Sequence, residues 1–152
     1  MSAPLDAAHI VKRLHSAFSK QLPRVEMLRL AADLMRETGP PYTSIYLYMV
    51  HGDELLLEAW SGRDTEHQRI PVGKGVCGTA VATGQDQNVG DVQGRENYIA
   101  CNLFTKSELV VLIRRGPNIL GQIDVDSDLL DPFTDDEVQA VRQVAEALAV
   151  LL

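Results

Sequence analysis

The stretch ELVVLIRRGPNILGQIDVD, residues 108–126, decides the fold of this chain. It contains two apolar runs separated by Gly116-Pro117-Asn118, and a cluster of glycine, proline and asparagine is typical of a turn. Each run has the length and the aliphatic, β-branched composition of a strand. The stretch therefore predicts two strands, Glu108–Arg114 and Ile119–Asp126, that pair across the turn.

The second predicted strand carries acidic residues where a buried strand is usually apolar. Asp124 and Asp126 alternate with Ile123 and Val125. Because successive side chains of a strand point to opposite faces, both carboxylates point to one side, roughly 7 Å apart, and the aliphatic side chains point to the other. Glu108, at the start of the neighbouring strand, could complete an acidic cluster.

Two interpretations of this acidic face are open. If the face is exposed, the carboxylates are only a hydrophilic strand surface. If the face lines a cleft, mutual repulsion and desolvation raise the pKa of at least one carboxyl group. A protonated carboxyl could then donate to a substrate oxygen, while an ionised one receives an ammonium group.

The rest of the sequence surrounds the strand pair with helices and further strands. Helical spacing of apolar residues, turn signals and a Thr-Asp-Asp-Glu capping box mark the elements. They are helices over about Leu5–Leu22 and Val25–Arg36, strands over Ser44–Val50 and Glu54–Trp60, a short helix over Val76–Ala82, a short strand over Gln87–Val92, and a final helix after Thr134. A central antiparallel sheet flanked by N-terminal and C-terminal helices is an α+β fold.

Length and charge restrict the class of protein. The chain has 152 residues, enough for one domain with a sizeable core but not comfortably for two, so residues 1–152 are expected to form a single domain. The formal net charge of −7 argues against nucleic acid and against an anionic membrane surface as partners. Because no signal peptide or membrane-spanning stretch is recognisable, we expect a cytoplasmic protein.

The two cysteines are the whole thiol content of the chain. Cys77 falls in the first turn of the predicted short helix, where the helix dipole and nearby Lys74 favour the thiolate. Cys101 lies in a segment, 93–106, with neither helical nor strand periodicity, and loops on rigid scaffolds commonly hold reactive groups. The alternative for each cysteine is a small buried side chain. In the cytosol such a pair is more often buried thiols, metal ligands or a transient redox couple than a structural bridge.

The sequence predicts neither a metal site nor a dinucleotide site. The four histidines are scattered, and the chain has no Cys-x-x-Cys or His-x-x-x-His spacing for zinc. The segment 73–78 matches Gly-x-Gly-x-x-Gly, but the order of elements supplies no convincing parallel βαβ unit. We therefore expect no bound metal ion and no nucleotide cofactor.

Several segments together resemble the GAF domain family and, within it, the free methionine-(R)-sulfoxide reductases. IPVGKGVCGTA, residues 70–80, is similar to the family's segment around one active-site cysteine. DVQGRENYIAC, residues 91–101, is similar to the loop that carries the catalytic cysteine. KSELVV at 106–111 and IDVDS at 123–127 resemble its two acidic strand motifs. The resemblance covers most of the chain and implies a GAF-like fold.

The resemblance also implies an activity, the thiol-dependent reduction of free methionine-(R)-sulfoxide to methionine. Cys101 would attack the sulfoxide sulfur and become a sulfenic acid as methionine leaves, and Cys77 would resolve it as a Cys77–Cys101 disulfide. Glu108, Asp124 and Asp126 would hold the amino group of the substrate and help to protonate the sulfoxide oxygen. No bound cofactor, recycling by an external thioredoxin-type dithiol and a homodimer are implied as well.

Of two further positions, one agrees with this resemblance and one departs from it. Tyr46, in the first strand, resembles an aromatic residue of the family's pocket. The family's third cysteine corresponds to His67, ten residues before Cys77, so resolution falls to Cys77. The competing interpretation is a non-catalytic GAF module that binds a small ligand and signals. Thiol-dependent consumption of free methionine sulfoxide distinguishes the two.

Overall fold

The computed structural model describes residues 4–93 and 104–152. Within them lie α1 (Ala7–Ser19), α2 (Arg24–Glu37), β1 (Ser44–His51), β2 (Glu54–Ser61), β3 (Arg69–Pro71), α3 (Gly75–Thr83), β4 (Gln87–Val89), β5 (Ser107–Arg115), β6 (Asn118–Ser127) and α4 (Asp135–Leu151). Every predicted helix and strand is present, with ends displaced by a few residues. β3 was not predicted, because three residues are too few to show a periodicity. None of the helices in the described ranges is long and apolar enough to cross a membrane.

The six strands form one sheet in the order β3-β2-β1-β6-β5-β4. Every paired strand is antiparallel to its neighbour. The predicted α+β fold with a central antiparallel sheet is therefore confirmed. Since the sheet contains no parallel pair among the described strands, it cannot supply the βαβ unit that a dinucleotide fingerprint requires.

One face of the sheet is covered by α1, α2 and α4 and forms the main hydrophobic core. On this face lie Leu109 and Val111 of β5 and Ile123 and Val125 of β6, each at most 1% exposed. Burying one such side chain contributes about 1.5–3 kcal/mol. The aliphatic half of the alternating pattern in β6 therefore serves stability, as the alternation predicted.

The N-terminus of α4 is capped as predicted, but only half of the capping box forms. Thr134 Oγ1 accepts a hydrogen bond from the N–H of Glu137 at 3.4 Å. The Glu137 carboxylate turns instead to the hydroxyl of Tyr42 and to the N–H of Leu5, which both donate to it. This buried carboxylate therefore ties the start of α1 and the start of β1 to the first turn of α4.

The opposite face of the sheet carries a smaller cluster under α3. Tyr46, Tyr48 and Val110 of the sheet pack with Val76 and Ala80 of α3. Within residues 4–93 and 104–152, α3 is the one helix on this face, and His67 from the segment between β2 and β3 also lines it. The acidic residues of β5 and β6 point to this face.

Candidate active site

Three carboxyl groups lie together on the face covered by α3. Asp126 lies opposite Glu108 across the β5–β6 pair, and Asp124 lies opposite Tyr46 across the β1–β6 pair. Directly opposed side chains share a face of the sheet. Glu108 is 4% exposed, and Asp124 and Asp126 are each 1% exposed. The interpretation of these acids as a solvated strand surface is therefore wrong, and the predicted cleft environment holds.

Cys77 is the third residue of α3, in the first helical turn, as predicted. The preceding loop folds back on itself, because the N–H of Gly73 donates to the carbonyl of Gly78 at 2.9 Å. A Cβ at Gly78 would lie 2.5 Å from the carbonyl oxygen of Pro71, so this close approach excludes any side chain. The side-chain amide of Gln122 in β6 donates to the carbonyl of Cys77 at 2.9 Å. Backbone contacts thus fix the position of the thiol.

The thiol and two of the carboxyls are in mutual contact. Cys77 Sγ donates to Glu108 Oε2 at 3.6 Å. The sulfur and one oxygen from each of Glu108 and Asp124 all lie within 4.8 Å of one another. The fold therefore brings together residues that the sequence analysis had singled out on three separate elements, α3, β5 and β6.

The thiolate expected at Cys77 is not favoured by this environment. Burial raises the pKa of the Cys77 thiol well above its usual value, and the negative charges of Asp124 and Glu108 raise it further. The dipole of a helix contributes only about 0.3–1 kcal/mol in exposed settings, and the side chain of Lys74 is exposed to solvent. The predicted activation of Cys77 is therefore wrong: near neutral pH it is a protonated thiol.

The carboxyl groups have the raised pKa values expected of a cleft. Burial raises the pKa of Glu108 well above its usual value, and the charge of Asp124 adds to the effect. Burial together with the charge of Asp126 raises the pKa of Asp124 to about 7. Asp124 Oδ1 is buried and has no hydrogen-bond partner among the described residues. Near neutral pH the cluster can therefore both donate a proton and accept a cation.

Two tyrosines of β1 hold the segment between β2 and β3 over this cluster. The Tyr46 hydroxyl donates to the carbonyl of Arg63 at 2.7 Å, and the Tyr48 hydroxyl donates to the carbonyl of His67 at 2.8 Å. Both rings are fully buried. The sequence analysis named Tyr46 but missed Tyr48, although a spacing of two in a strand puts both on one face.

Arg63 forms an ion pair beside the same site. Its guanidinium donates to both carboxylate oxygens of Asp128 at 2.6 and 2.7 Å. It also lies 5.3 Å from the ring centre of Phe104. The hydrogen bond from Arg63 lowers the pKa of Asp128. Sequence reasoning missed Arg63, because a single arginine after a strand follows no pattern.

A small cavity opens among these groups. Its volume is about 10 Å³, the room of a single water-sized guest, and its walls are formed by Tyr48, His67, Ile70, Val76, Cys77, Glu108 and Asp124. A larger cavity of about 480 Å³ lies near Tyr42 and Asp128 and includes neither the thiol nor the acidic cluster. The small cavity is the candidate site, because of these two cavities it alone is lined by the Cys77 thiol and by carboxyls of the acidic cluster.

Cys101 lies outside the described residues. Its predicted role as nucleophile and its predicted disulfide with Cys77 therefore stay predictions. The same holds for the extent of the domain over residues 1–152.

The GAF domain family model matches residues 24–152. This chain belongs to the GAF domain family. The assignment agrees with the observed order of elements, in which an antiparallel sheet lies between terminal helices and α3.

Relatives of this GAF domain include proteins with a named activity. The free methionine-R-sulfoxide reductase of Escherichia coli strain K12 is 39% identical over 105 residues, which cover 69% of this chain and 63% of the relative. The match thus spans less than two thirds of that protein. Protein YtsP of Bacillus subtilis strain 168 is 40% identical over 141 residues, covering 91% of this chain and 86% of the relative.

A solved structure of a reductase has the same fold as this chain. The free methionine-R-sulfoxide reductase of Neisseria meningitidis, crystallised in complex with its substrate, superimposes with a TM-score of 0.86. It is 29% identical to this chain, and the superposition covers 99% of this chain and 92% of the reductase. The GAF domain described here is therefore similar over nearly its whole length to a protein that binds a sulfoxide substrate.

Proposed function

We propose that this GAF domain is an enzyme that reduces free methionine-(R)-sulfoxide to methionine with electrons from thiols. The observation that carries the proposal is the contact of the Cys77 thiol with two buried carboxyl groups, Glu108 and Asp124, within 4.8 Å. The similarity to reductases from three organisms supports the choice of substrate. A generic ligand-binding GAF domain has no need of a thiol beside paired acids.

The acidic cluster suits two polar groups of the substrate, the ammonium group and the sulfoxide oxygen. An ionised carboxylate of the cluster binds the ammonium group of the free amino acid. The buried negative charge thereby gains a positive partner. A neighbouring protonated carboxyl donates to the sulfoxide oxygen and makes the sulfur more electrophilic. Burial, together with the charge of Asp126, raises the pKa of Asp124 to about 7, so the cluster holds a proton near neutral pH.

The covalent steps balance with two cysteines and one external dithiol. The sulfur of Cys101 attacks the sulfoxide sulfur, the oxygen passes to Cys101 as a sulfenic acid, and methionine leaves. The Cys77 sulfur then attacks the Cys101 sulfur and expels the oxygen as water, which leaves a Cys77–Cys101 disulfide. A thioredoxin-type dithiol reduces the disulfide and is itself oxidised.

We propose a part for Glu108 in the resolving step. Because the pKa of Cys77 is raised by burial, this thiol must lose its proton at the moment it reacts. Glu108 Oε2 accepts the thiol's hydrogen bond at 3.6 Å and has a pKa raised above the usual carboxylate range. The contact and the raised pKa support Glu108 as the general base for Cys77.

The proposal extends to the surroundings of the enzyme. Turnover needs no prosthetic group, because the electrons come from an external dithiol. We further propose that the protein acts in the cytoplasm as a homodimer, without nucleic-acid or membrane partners. The net charge of −7 supports the last point.

The decisive test is an assay of both sulfoxide epimers. Purified protein is incubated with free methionine-R-sulfoxide or methionine-S-sulfoxide and a dithiol, and the methionine formed is measured. We expect consumption of the R epimer alone and no turnover by Cys101→Ser. Full activity of Cys101→Ser sinks the mechanism. Binding of the sulfoxide without its consumption by the wild-type protein shows a ligand sensor instead.

The resolving role of Cys77 has a separate test. Cys77→Ser should release about one methionine per protein in a single turnover, since one sulfenic acid forms per chain, and then stall with thioredoxin. An external small thiol should restore turnover. Mass spectrometry of wild-type protein after one equivalent of sulfoxide should find a linked Cys77–Cys101 peptide. A persistent Cys101 sulfenic acid or only intermolecular dimers would contradict this pairing.

A further inference from the structure

Three potential metal ligands converge in the small cavity: the sulfur of Cys77, a carboxylate oxygen of Glu108 and a carboxylate oxygen of Asp124. We propose that these residues form a binding site for a thiophilic divalent cation, of which Zn²⁺ is the representative. The proposal differs from the absence of a metal site expected from sequence spacing. Spacing along the chain does not reveal ligands that come from α3, β5 and β6. It goes beyond the proposed function, and metal binding is tested without catalysis.

The distances fit a tetrahedral ion. Zinc bonds of about 2.3 Å to sulfur and about 2.1 Å to oxygen place these ligand atoms about 3.6 Å apart. Cys77 Sγ and Glu108 Oε2 are separated by 3.6 Å. The ligand atom of Asp124 lies within 4.8 Å of both. A shift of the Asp124 ligand oxygen by at most about 1.2 Å, the difference between 4.8 Å and the required 3.6 Å, therefore completes three tetrahedral positions.

The environment of one buried oxygen of Asp124 also supports the binding of a cation. Asp124 is 1% exposed, and its Oδ1 has no hydrogen-bond partner among the described residues. A buried carboxylate oxygen without a partner costs free energy, and metal coordination satisfies it. The fourth position of the ion faces a cavity with room for one water-sized ligand.

The ligand types select the class of metal. A thiolate with two carboxylates suits Zn²⁺ and chemically similar ions such as Co²⁺ and Cd²⁺. Mg²⁺ and Ca²⁺ prefer sites built entirely from oxygen, with six or more ligands. The ligands also sit on rigid supports: Asp124 on a central strand, Glu108 on its neighbour, and Cys77 in a turn held by Gln122. These supports confine the rearrangement that metal binding requires to the side chain of Asp124.

Metal binding has a consequence for the reduction of the sulfoxide, and this consequence rests on the proposed function. The ion takes the carboxylates that receive the substrate ammonium and the thiol that resolves Cys101. Zn²⁺ is then a reversible inhibitor that competes with free methionine sulfoxide. If added methionine sulfoxide leaves the affinity for Zn²⁺ unchanged, the competition is contradicted but the metal site is not. The site itself is tested by direct measurements of metal binding.

The first experiment uses Co²⁺ as a spectroscopic probe with reduced, chelator-treated protein. A cobalt–thiolate bond gives a charge-transfer band in the near ultraviolet. Two matched variants identify the thiol, since the chain has only two cysteines. We expect the band in the wild type and in Cys101→Ser and its loss in Cys77→Ser. A band that persists in Cys77→Ser, or that is absent from the wild type, overturns the proposal.

The second experiment measures Zn²⁺ affinity by calorimetry and tests the carboxylates. Asp124→Asn and Glu108→Gln should each weaken Zn²⁺ binding at least ~10-fold, because a neutral amide is a poor ligand. The controls are Asp33→Asn and Glu54→Gln, the same chemical changes at carboxylates 40% and 38% exposed. Their affinity should equal that of the wild type, and Mg²⁺ should give no heat. Equal affinities in the two site variants and the two controls overturn the proposal.

Discussion

Glu108 and Leu109 are neighbours in β5, yet they lie on opposite faces of the sheet and in opposite environments. Leu109 packs in the main core with the residues of α1, α2 and α4. Glu108 accepts the hydrogen bond of the Cys77 thiol. Both are at most 4% exposed, so burial does not distinguish them. Burial of Leu109 stabilises the fold, whereas burial of Glu108 changes its acid strength at a cost in stability.

The same contrast separates two buried carboxylates. Glu137, on the helix side, receives the hydroxyl of Tyr42 and the N–H of Leu5. Asp124, on the site side, has Asp126 and Glu108 as ionisable neighbours, and its Oδ1 has no hydrogen-bond partner in the part of the chain that the structure describes. A carboxylate surrounded by donors is a structural link. A carboxylate surrounded by other acids is a group whose natural partner is a cation or a proton from outside the chain.

The largest effect is expected on the helix side. Leu109→Ala should lower the free energy of unfolding by about 2–5 kcal/mol, because it leaves a cavity in a closely packed core. Chemical denaturation monitored by circular dichroism measures the change. Leu130→Ala is the matched control, since Leu130 is 60% exposed, and it should change stability by less than about 0.5 kcal/mol. Similar losses in both variants would contradict the assignment of the core to this face.

The neighbouring site-side substitutions should reverse this pattern. Glu108→Gln, Asp124→Asn and Asp126→Asn should each lower kcat/KM for free methionine-R-sulfoxide about 100-fold, since a buried charge partner of the ammonium is lost. Their free energy of unfolding should stay level or rise, because repulsion among buried acids is relieved. Glu54→Gln serves as the exposed control. Unchanged kinetics in all three site variants would mean that the acids do not bind the ammonium.

Tyr42→Phe tests the hydrogen bonds that hold the buried carboxylate of Glu137. The substitution removes the hydroxyl that donates to Glu137 and should cost about 1–3 kcal/mol of stability, because a buried acceptor loses a partner. Burial and the neighbouring Glu137 raise the pKa of Tyr42, so this hydroxyl stays a donor at neutral pH. Thermal unfolding checks the loss. Retention of wild-type stability would show that Glu137 finds an equivalent donor elsewhere.

The smallest effect is a slope with pH. The pKa of Asp124 is raised from 3.8 in the unfolded chain to about 7 in the folded one. Between these values the folded chain holds a proton that the unfolded chain has released, so stability falls as pH rises. The slope is at most about 1.4 kcal/mol per pH unit for one group. Denaturation of chelator-treated protein from pH 5 to 7 measures it, and Asp124→Asn should flatten the curve. An equal slope in this variant would assign the proton to another group.

Patterns within one element predicted the fold well. Period-two alternation in β6 and the turn at 116–118 gave the strand pair, and the capping residue Thr134 gave the start of α4. The alternation also placed the acids on one face. What the pattern left open was whether that face is exposed, because coverage depends on α3 and on loops distant in sequence.

Properties that depend on several elements were predicted less well. The helix position of Cys77 suggested a thiolate, but the pKa of its thiol is decided by burial and by acids from β5 and β6. The capping box suggested that Glu137 turns back to its own helix, whereas Tyr42, just before β1, provides a buried donor. The convergence of three metal-binding side chains had no signal in sequence spacing.

β6 occupies the middle of the sheet, hydrogen-bonded to β1 along one edge and to β5 along the other. Each of its backbone amides points to β1 or to β5 and can exchange with deuterium only when that neighbour separates, so Asp124 and Asp126 lie in a slowly exchanging part of the molecule. A ligand in the cavity therefore contacts carboxylates whose spacing along the strand stays fixed. Selection at this position therefore rests on how well the charges of the ligand match this fixed set of acids.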